Sequence, residues 1–429
     1  MRPLAGPASA SGLYINENLT DEELLQMANE LAERADVTSV YPNYLLQPKR
    51  VPNDPLYVHQ WHYQAIDLES AWDITTGDPT GTVVAVLDTG ILYSQTDPNW
   101  QHLDFANVLP GYDFISEWQS AGDGDGRDPD PFDVLGDGFH GTHVAGTIAA
   151  ATNNNEGVAG VDWHARILPV RVLGDGGGSI LDIMEGLLWA AGFDVQGVPK
   201  NNTPARVINM SLGGDGVCLP EMQSVFDAVA NSGAIVVVAS DNENEDTAGK
   251  FPASCGNIIT VGATNHAGLR TSYSNYGLEV DIMAPGGDMT TNYVNPQYPD
   301  GVLSLGLDPG SGDIYVFDHG TSMAAPHVAG IISLMIDVKP DLDLYAAWDI
   351  ITSAAWPLTA AECGIANGCG AGLINPEQAL IAAQNYTSPS SRRPGWSLRS
   401  WPWAKPESHP GEWPNDYRGF PGRCQWRTL

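Results

Sequence analysis

A hydroxyl, an imidazole and a carboxylate each stand where the sequence ends one element or begins another. Ser322 lies in GTSMAAPHVAG (320–330), a small-residue turn that runs into the apolar stretch 331–336. Read as a helix start, it places the hydroxyl beside amides with no partner inside the helix, where a developing anion is stabilised. Pro326 is expected in the first turn, where there is no hydrogen bond for its ring to remove. A lone serine at such a place ordinarily only caps the helix. Its meaning changes in company. Asp88 closes the apolar run 82–87 in VAVLDTG, and His140 opens the Gly- and Ala-rich HGTHVAGT. A hydroxyl, a base and an acid are the components of nucleophilic acyl transfer, in which the base takes the hydroxyl proton and the acid orients the base. Reading His140 and His143 as a metal pair lacks a glutamate in the motif and an evident third ligand. An esterase elbow is disfavoured because Ser322 does not stand between two glycines.

Such groups work only if a frame brings them together. From about 54 to 386, helical segments alternate with short runs that are apolar on both faces, at 82–87, 165–170, 205–209, 234–239 and 258–262. This pattern predicts an α/β fold, a three-layer arrangement with a parallel sheet flanked by helices and its chemistry at the carboxyl ends of the strands. Before it, TDEE (20–23) reads as a capping box opening a helix with Leu24, Leu25, Met27, Ala28, Leu31 and Ala32 along one face, followed by a short strand at 36–41. Residues 11–47 thus form a small α+β unit with too little apolar surface to fold alone. KRVPNDP (49–55) has the composition of an exposed, cleavable junction. From Thr387 the chain is rich in Pro, Ser, Arg and Trp without periodicity, which reads as a linker or disordered tail over 387–429. With five of the thirteen tryptophans it also resembles a fragment of a binding module.

The net charge of −33 over 429 residues excludes nucleic acid as a partner, since that needs clustered Lys and Arg, and suits a surface loaded with calcium or salt. No apolar run approaches the length that crosses a bilayer, so no membrane partner is expected. The start, MRPLAG, lacks an apolar stretch of signal-peptide length, so either the protein stays inside or the sequence begins late. Cys218 and Cys255, then Cys363 and Cys369, then Cys424 fit an oxidising compartment, with three ways of pairing the first four.

The blocks VAVLDTG, HGTHVAGT and GTSMAAPHVAG, with VINMSLGG, SYSNYG and MAPGG between them, resemble the signature blocks of the subtilisin-like serine proteases in their order Asp, His, Ser. The resemblance covers roughly residues 54–386 and is nearest the secreted bacterial branch, which carries an acidic loop between the Asp and His blocks and two local disulfides. It implies a secreted serine endopeptidase with a subtilisin-like peptidase domain at 51–386, acting as a monomer on proteins or peptides. By motif, Ser322 attacks the peptide carbonyl, His140 carries the proton and Asp88 holds the imidazole, leaving His143 to packing. VVVASDN (236–242) aligns with the block whose asparagine faces the oxyanion, so Asn242 is expected to act with the Ser322 amide. This chain has Ser240 and Asp241 where the family usually has Ala-Gly, and Asp241 is expected to face solvent. Ser211, Leu212 and Gly213 match the edge that pairs with an extended substrate. Lys250 falls at the floor of the first specificity pocket and Glu243 at its rim, and mutual neutralisation of the two predicts broad cleavage.

The resemblance also implies calcium. The loop Thr152–Val158 matches a tight calcium loop, with Thr152, Asn154, Glu156 and Val158 as ligands and Asp54 and Asp104 completing the set; oxygen donors of this kind suit Ca²⁺. The loop 123–133 has its own Asp-x-Asp-Gly alternation, which points to a second cation held by Asp123, Asp125, the Arg127 carbonyl, Asp130 and Asp133, with the share of Asp128 left open. Residues 1–50 resemble the latter half of an inhibitory propeptide that occupies the cleft until self-cleavage near Lys49–Asp54; the resemblance leads us to expect a strand and a helix ahead of this half. The alternative to an enzyme is a catalytically silent relative serving as a binding module, supported by Ser240 and Asp241.

Overall fold

A computed structural model of the chain describes residues 21–34, 36–37, 40, 50–94, 101–134, 139–308 and 312–387. The chain divides into two compact units, Met1–Lys49 and Arg50–Leu429. In the first, helix α1 (Asp21–Ala32) forms over the expected apolar spacing, with Gln26 Nε2 donating to Glu30 one turn on at 3.0 Å. The strand expected at 36–41 falls mostly outside the described residues, and Asp36 itself lies in a turn. The tail at 388–429, Cys424 included, is also outside them.

The second unit runs α2 (Trp61–Ala65), α3 (Leu68–Ile74), β1 (Val83–Asp88), β2 (Tyr112–Asp113), α4 (Trp118–Ala121), α5 (His140–Ala149), β3 (Arg166–Arg171), α6 (Ile180–Ala190), β4 (Val207–Met210), β5 (Gly214–Asp215) and α7 (Pro220–Asn231). It continues with β6 (Ile235–Ala239), β7 (Lys250–Phe251), β8 (Ile259–Thr264), β9 (Ile282–Pro285), β10 (Val302–Asp308), β11 (Gly312–Asp318), α8 (Thr321–Val338), α9 (Leu344–Ala354), α10 (Ala360–Cys363) and α11 (Pro376–Asn385). Seven strands form one sheet in the order β2-β3-β1-β4-β6-β8-β9. Every pairing in it is parallel.

The five runs read from the sequence became β1, β3, β4, β6 and β8, whose residues are buried at every position but Arg166, because strands covered on both faces need a largely apolar sequence. Successive side chains alternate between two cores. Val84 and Val86 of β1 join Val144 and Ile148 of α5 and the length of α8, whereas Val83, Ala85 and Leu87 meet Ile183 and Leu187 of α6 and Phe226 of α7. Helix α8 is apolar and long enough to cross a membrane, yet 89% of it is buried within the structure, the position of a core helix.

Pro326 departs from expectation. It is the sixth residue of α8, beyond the first turn, so its ring removes the donor that the Ser322 carbonyl four residues earlier would have had. The hydroxyl of Ser211, just past β4, donates to that carbonyl at 2.7 Å and restores the bond.

Two features had no counterpart in the sequence reading. β10 and β11 form an antiparallel hairpin, and Nε2 of buried His143 hydrogen-bonds its carbonyls at Val302 and Val316. β5 and β7 pair antiparallel, Gly214 opposite Phe251 and Asp215 opposite Lys250. Among the possible pairings the disulfides are Cys218–Cys255 and Cys363–Cys369.

Candidate active site

Asp88 is the last residue of β1 and fully buried. Helix α5 starts against that strand end only because residue 141 is glycine: a Cβ there would lie 2.1 Å from the Gly90 carbonyl oxygen and 3.0 Å from Asp88 Cβ. Phe139, at the turn into the helix, holds a left-handed φ of 55°, a conformation seldom taken by a bulky residue away from a constrained site. This entry sets His140 Nδ1 2.7 Å from Asp88 Oδ1. The Thr89 amide donates to the same oxygen at 2.8 Å, and the Thr89 hydroxyl both accepts from the Gly141 amide and donates to buried Asp133. Oδ2 of Asp88 has no hydrogen-bond partner among the described residues, so the imidazole is the main answer to its charge.

Burial penalises the charged form of His140. The Asp88 carboxylate, by charge and hydrogen bond, outweighs that penalty together with Asp318 and Asp133, and the imidazole is raised to about 9. With Nδ1–H committed to the carboxylate, Nε2 is the nitrogen left to exchange protons.

Ser322, the second residue of α8, is 7% exposed. Its hydroxyl donates to the Ser211 carbonyl at 3.2 Å while the Ser211 hydroxyl donates to the Ser322 carbonyl, so the two serines latch the start of α8 to the end of β4. β4 is the neighbour of β1, and both strands end at the carboxyl rim. The Asp88–His140 pair and the Ser322–Ser211 pair therefore stand at the ends of adjacent strands, with the Ser322 hydroxyl on Ser211 rather than on the imidazole.

Asn242 follows β6 closely. Its Oδ1 accepts from the Thr321 amide at 2.8 Å and the Thr321 hydroxyl at 3.0 Å, which fixes the acceptor end of the amide and leaves the NH₂ end to donate elsewhere. Asp241 does not face solvent as expected. It is 6% exposed, its φ of 78° is one that favours glycine, and its amide donates to Thr321 Oγ1 at 3.1 Å. Burial, then the charge of Glu243, push its carboxyl up to about 6, against the pull of Lys250. The sequence reading overlooked the hydroxyls of Ser211, Thr321 and Thr89; their position beside the motif residues was the available signal.

Leu212 is buried and Gly213 is partly exposed beside Asp241. Lys250 is buried, and its Nζ meets Asp215 at 2.7 Å, Glu245 at 2.9 Å and Glu243 at 3.3 Å. Glu243 also accepts from Asn275 Nδ2 at 2.9 Å. The two opposite charges do meet, and two further carboxylates share the ammonium.

The 152–158 loop closes on two buried carboxylates. Asp54 accepts from the amides of Asn153 and Asn154, and Asp104 accepts from Asn154 Nδ2 at 2.8 Å and the Val158 amide at 3.0 Å. Desolvation is the largest effect on Asp104; with the nearby charges of Asp54 and Glu156 it raises the carboxyl to about 6. The Thr152 hydroxyl bonds the Ala150 carbonyl and accepts from the Gly160 amide, which pins the loop. The groups that face these carboxylates are N–H donors, and Asn154 Oδ1 accepts from the Glu156 amide at 2.8 Å, so the two buried carboxylates that repel one another are the part of the set that suits a hard cation.

In the acidic loop the carboxylates of Asp123, Asp125 and Asp128 each offer an oxygen within 4.8 Å of the others. Asp128 thus joins the group, and desolvation followed by Asp125 and Asp123 raises it to about 6. The carboxylates of Asp130 and Asp133 turn instead to the hydroxyls of Ser94 and Thr89. The Arg127 side chain leaves the loop for Asp182 and Glu185 of α6, and buried Arg171 holds Asp123 at 2.6 Å.

Comparison with known proteins gives this arrangement a context. A model of the subtilase family matches residues 79–372. An extracellular protease of Xanthomonas campestris pv. campestris is 41% identical over 380 residues, covering 84% of this chain and 62% of that protein. An extracellular basic protease of Dichelobacter nodosus is 38% identical over 411 residues, covering 90% of this chain and 65% of its own length. The chain thus spans a little under two thirds of these two relatives. Among solved structures, a protease from Pseudoalteromonas arctica has a TM-score of 0.70 and 42% identity, covering 78% of this chain and all of that one.

Proposed function

The chain belongs to the subtilase family, and from that premise we propose that it is a secreted serine endopeptidase hydrolysing peptide bonds through an acyl-enzyme. The observation that carries this reading is the 2.7 Å bond from His140 Nδ1 to a fully buried Asp88 at the rim where Ser322 opens α8. The two relatives described above are named an extracellular protease and an extracellular basic protease, which supports secretion.

In the proposed cycle a rotation about χ1 releases the Ser322 hydroxyl from the Ser211 carbonyl and turns it to His140 Nε2. The oxygen attacks the scissile carbonyl while Nε2 takes the proton, and the imidazolium is stabilised by Asp88. The oxyanion is received by the Ser322 amide at the start of α8 and by Asn242 Nδ2, whose direction is fixed by the two Thr321 bonds to Oδ1. The imidazolium then protonates the leaving amine, and water repeats the sequence in reverse order of roles to free Ser322. Ser211, Leu212 and Gly213 pair with the extended substrate backbone.

Calcium is proposed at two places and supplies rigidity rather than chemistry. Asp54, Asp104, Asn154 and the loop carbonyls of Thr152, Glu156 and Val158 would hold one ion, and the Asp123, Asp125 and Asp128 group another. Residues 1–50 are proposed as an intramolecular inhibitor cleaved near Lys49–Asp54, a reading supported by the division of the chain at Lys49. Casein digestion by wild type and Ser322→Ala, each with and without chelator, tests the reading. Digestion is expected from wild type alone and is expected to weaken on chelation; equal digestion by Ser322→Ala would contradict it.

A further inference from the structure

Asp241 departs from solvent and turns its carboxylate toward Gly213, two residues beyond the serine that latches Ser322. Its Oδ2 would lie 3.0 Å, and its Cγ 3.2 Å, from a Cβ placed on Gly213. The carboxylate thus lies between the Ser211–Gly213 segment and the Ser240–Asn242 segment, in an approach that the bare Gly213 permits. On one side of it β5 and β7 pair, Gly214 opposite Phe251, and two residues before Gly213 the chain is latched to Ser322 through Ser211. In the proposed cycle a carbonyl within reach of Ser322 Oγ, its oxygen toward the Ser322 amide and Asn242 and its chain paired with 211–213, belongs to a residue whose side chain would lie beside Gly213 and Asp241.

The charge of that space is lopsided. Lys250 is already shared by Asp215, Glu243 and Glu245, so it does not cancel Asp241 as well. Four carboxylates around one ammonium leave a net charge of −3 when all are ionised. An apolar side chain beside it would leave the already desolvated Asp241 carboxylate without a counter-charge, whereas an ammonium or guanidinium would pair with it.

We infer that Asp241 is a specificity-determining residue: its carboxylate selects substrates carrying Lys or Arg at the residue whose carbonyl is attacked. The inference rests on the reading of Ser322 as nucleophile, and it replaces the broad cleavage expected from Glu243 and Lys250 alone. A pH signature accompanies it. Burial first, then Glu243, with Asp215 adding, hold Asp241 up at about 6 while Lys250 and the Asn242 amide oppose them. The carboxyl is therefore neutral at pH 5 and charged at pH 8, and basic selectivity grows across that interval. Taking the ratio between two substrates removes the dependence on His140 that both share.

The test is kcat/KM for chromogenic peptides differing only at that residue (Lys, Arg, Leu, Phe, Glu), with wild type, Asp241→Asn and Asp241→Gly. Asp241→Gly suits the backbone at this position, so it guards against a folding artefact in the isostere. Wild type at pH 8 is expected to favour Lys and Arg over Leu by about tenfold or more, the scale of one charge-assisted hydrogen bond, and both variants to lose that ratio. A wild type that labels at Ser322 with a fluorophosphonate but shows no basic preference, or an Asp241→Asn that keeps the full ratio, overturns the role of Asp241 alone. Absence of both labelling and cleavage overturns the peptidase reading with it.

Discussion

Replacing Asp88 by Asn in a Ser322→Ala background separates the charge of the buried acid from its shape, and the second substitution prevents self-digestion. In the folded chain the imidazole of His140 is raised from 6.5 to about 9, chiefly by Asp88 working against burial. A shift of that size corresponds to about 3 kcal/mol of coupling between the imidazolium and the fold. The sign follows from linkage. A raised folded pKa contributes stability that is fully present below the unfolded value near 6.5 and is lost as pH rises through about 9. Asp88→Asn removes the main cause of the rise, and burial then draws the ring below 6.5. The expected result in urea unfolding is a stability gap between parent and variant that is widest near pH 6 and shrinks by about 3 kcal/mol by pH 10, less whatever Asp318 and Asp133 sustain. Other titrating groups are common to both proteins and cancel in the difference. A gap that stays flat from pH 6 to pH 10 would show that Asp88 does not hold the imidazolium, and the acid–base part of the mechanism would fall with it.

Three further outcomes follow from the geometry. Asn242→Ala is expected to lower kcat by about a hundredfold to a thousandfold with little change in KM, because the lost donor acts on the oxyanion; a change confined to KM would contradict its role. Ser211→Ala leaves the Ser322 carbonyl in α8 without a donor, since Pro326 supplies none, and should cost about 1–3 kcal/mol in urea unfolding; Ser211→Thr, which keeps the hydroxyl, should restore most of it. Chelation should lower the midpoint of thermal unfolding, with calcium at a hundred times its Kd restoring about 2.7 kcal/mol; in Asp104→Asn that response should shrink, and an unchanged response would remove the 152–158 loop from the calcium account.

The sequence made the three groups of the proposed triad and the sheet legible for one reason: each group abuts a run whose apolar pattern has a single structural reading. Asp88 ends a strand apolar at every position, and His140 and Ser322 open helices packed through Gly and Ala. What the sequence hid depends on partners distant in the chain. Pro326 reads as a first-turn proline until Ser211 is seen supplying the donor that its ring removes. Asp241 reads as a surface carboxylate until its left-handed backbone and the bare Gly213 opposite turn it inward. Within the acidic loop, Ser94 and Thr89 claim Asp130 and Asp133, so alternation alone did not sort out which carboxylates face one another. The β10–β11 hairpin escaped because part of its burial comes from α5 and His143, not from any feature of its own.

The most direct measurement of the central claim is covalent labelling of the purified protein with a fluorophosphonate probe, followed by mass-spectrometric mapping of the adduct in wild type and in His140→Ala. The account predicts a single adduct on Ser322 in wild type, and a rate of labelling reduced by orders of magnitude in His140→Ala. An adduct on another residue, or labelling of Ser322 that proceeds at the same rate without the imidazole, would contradict it.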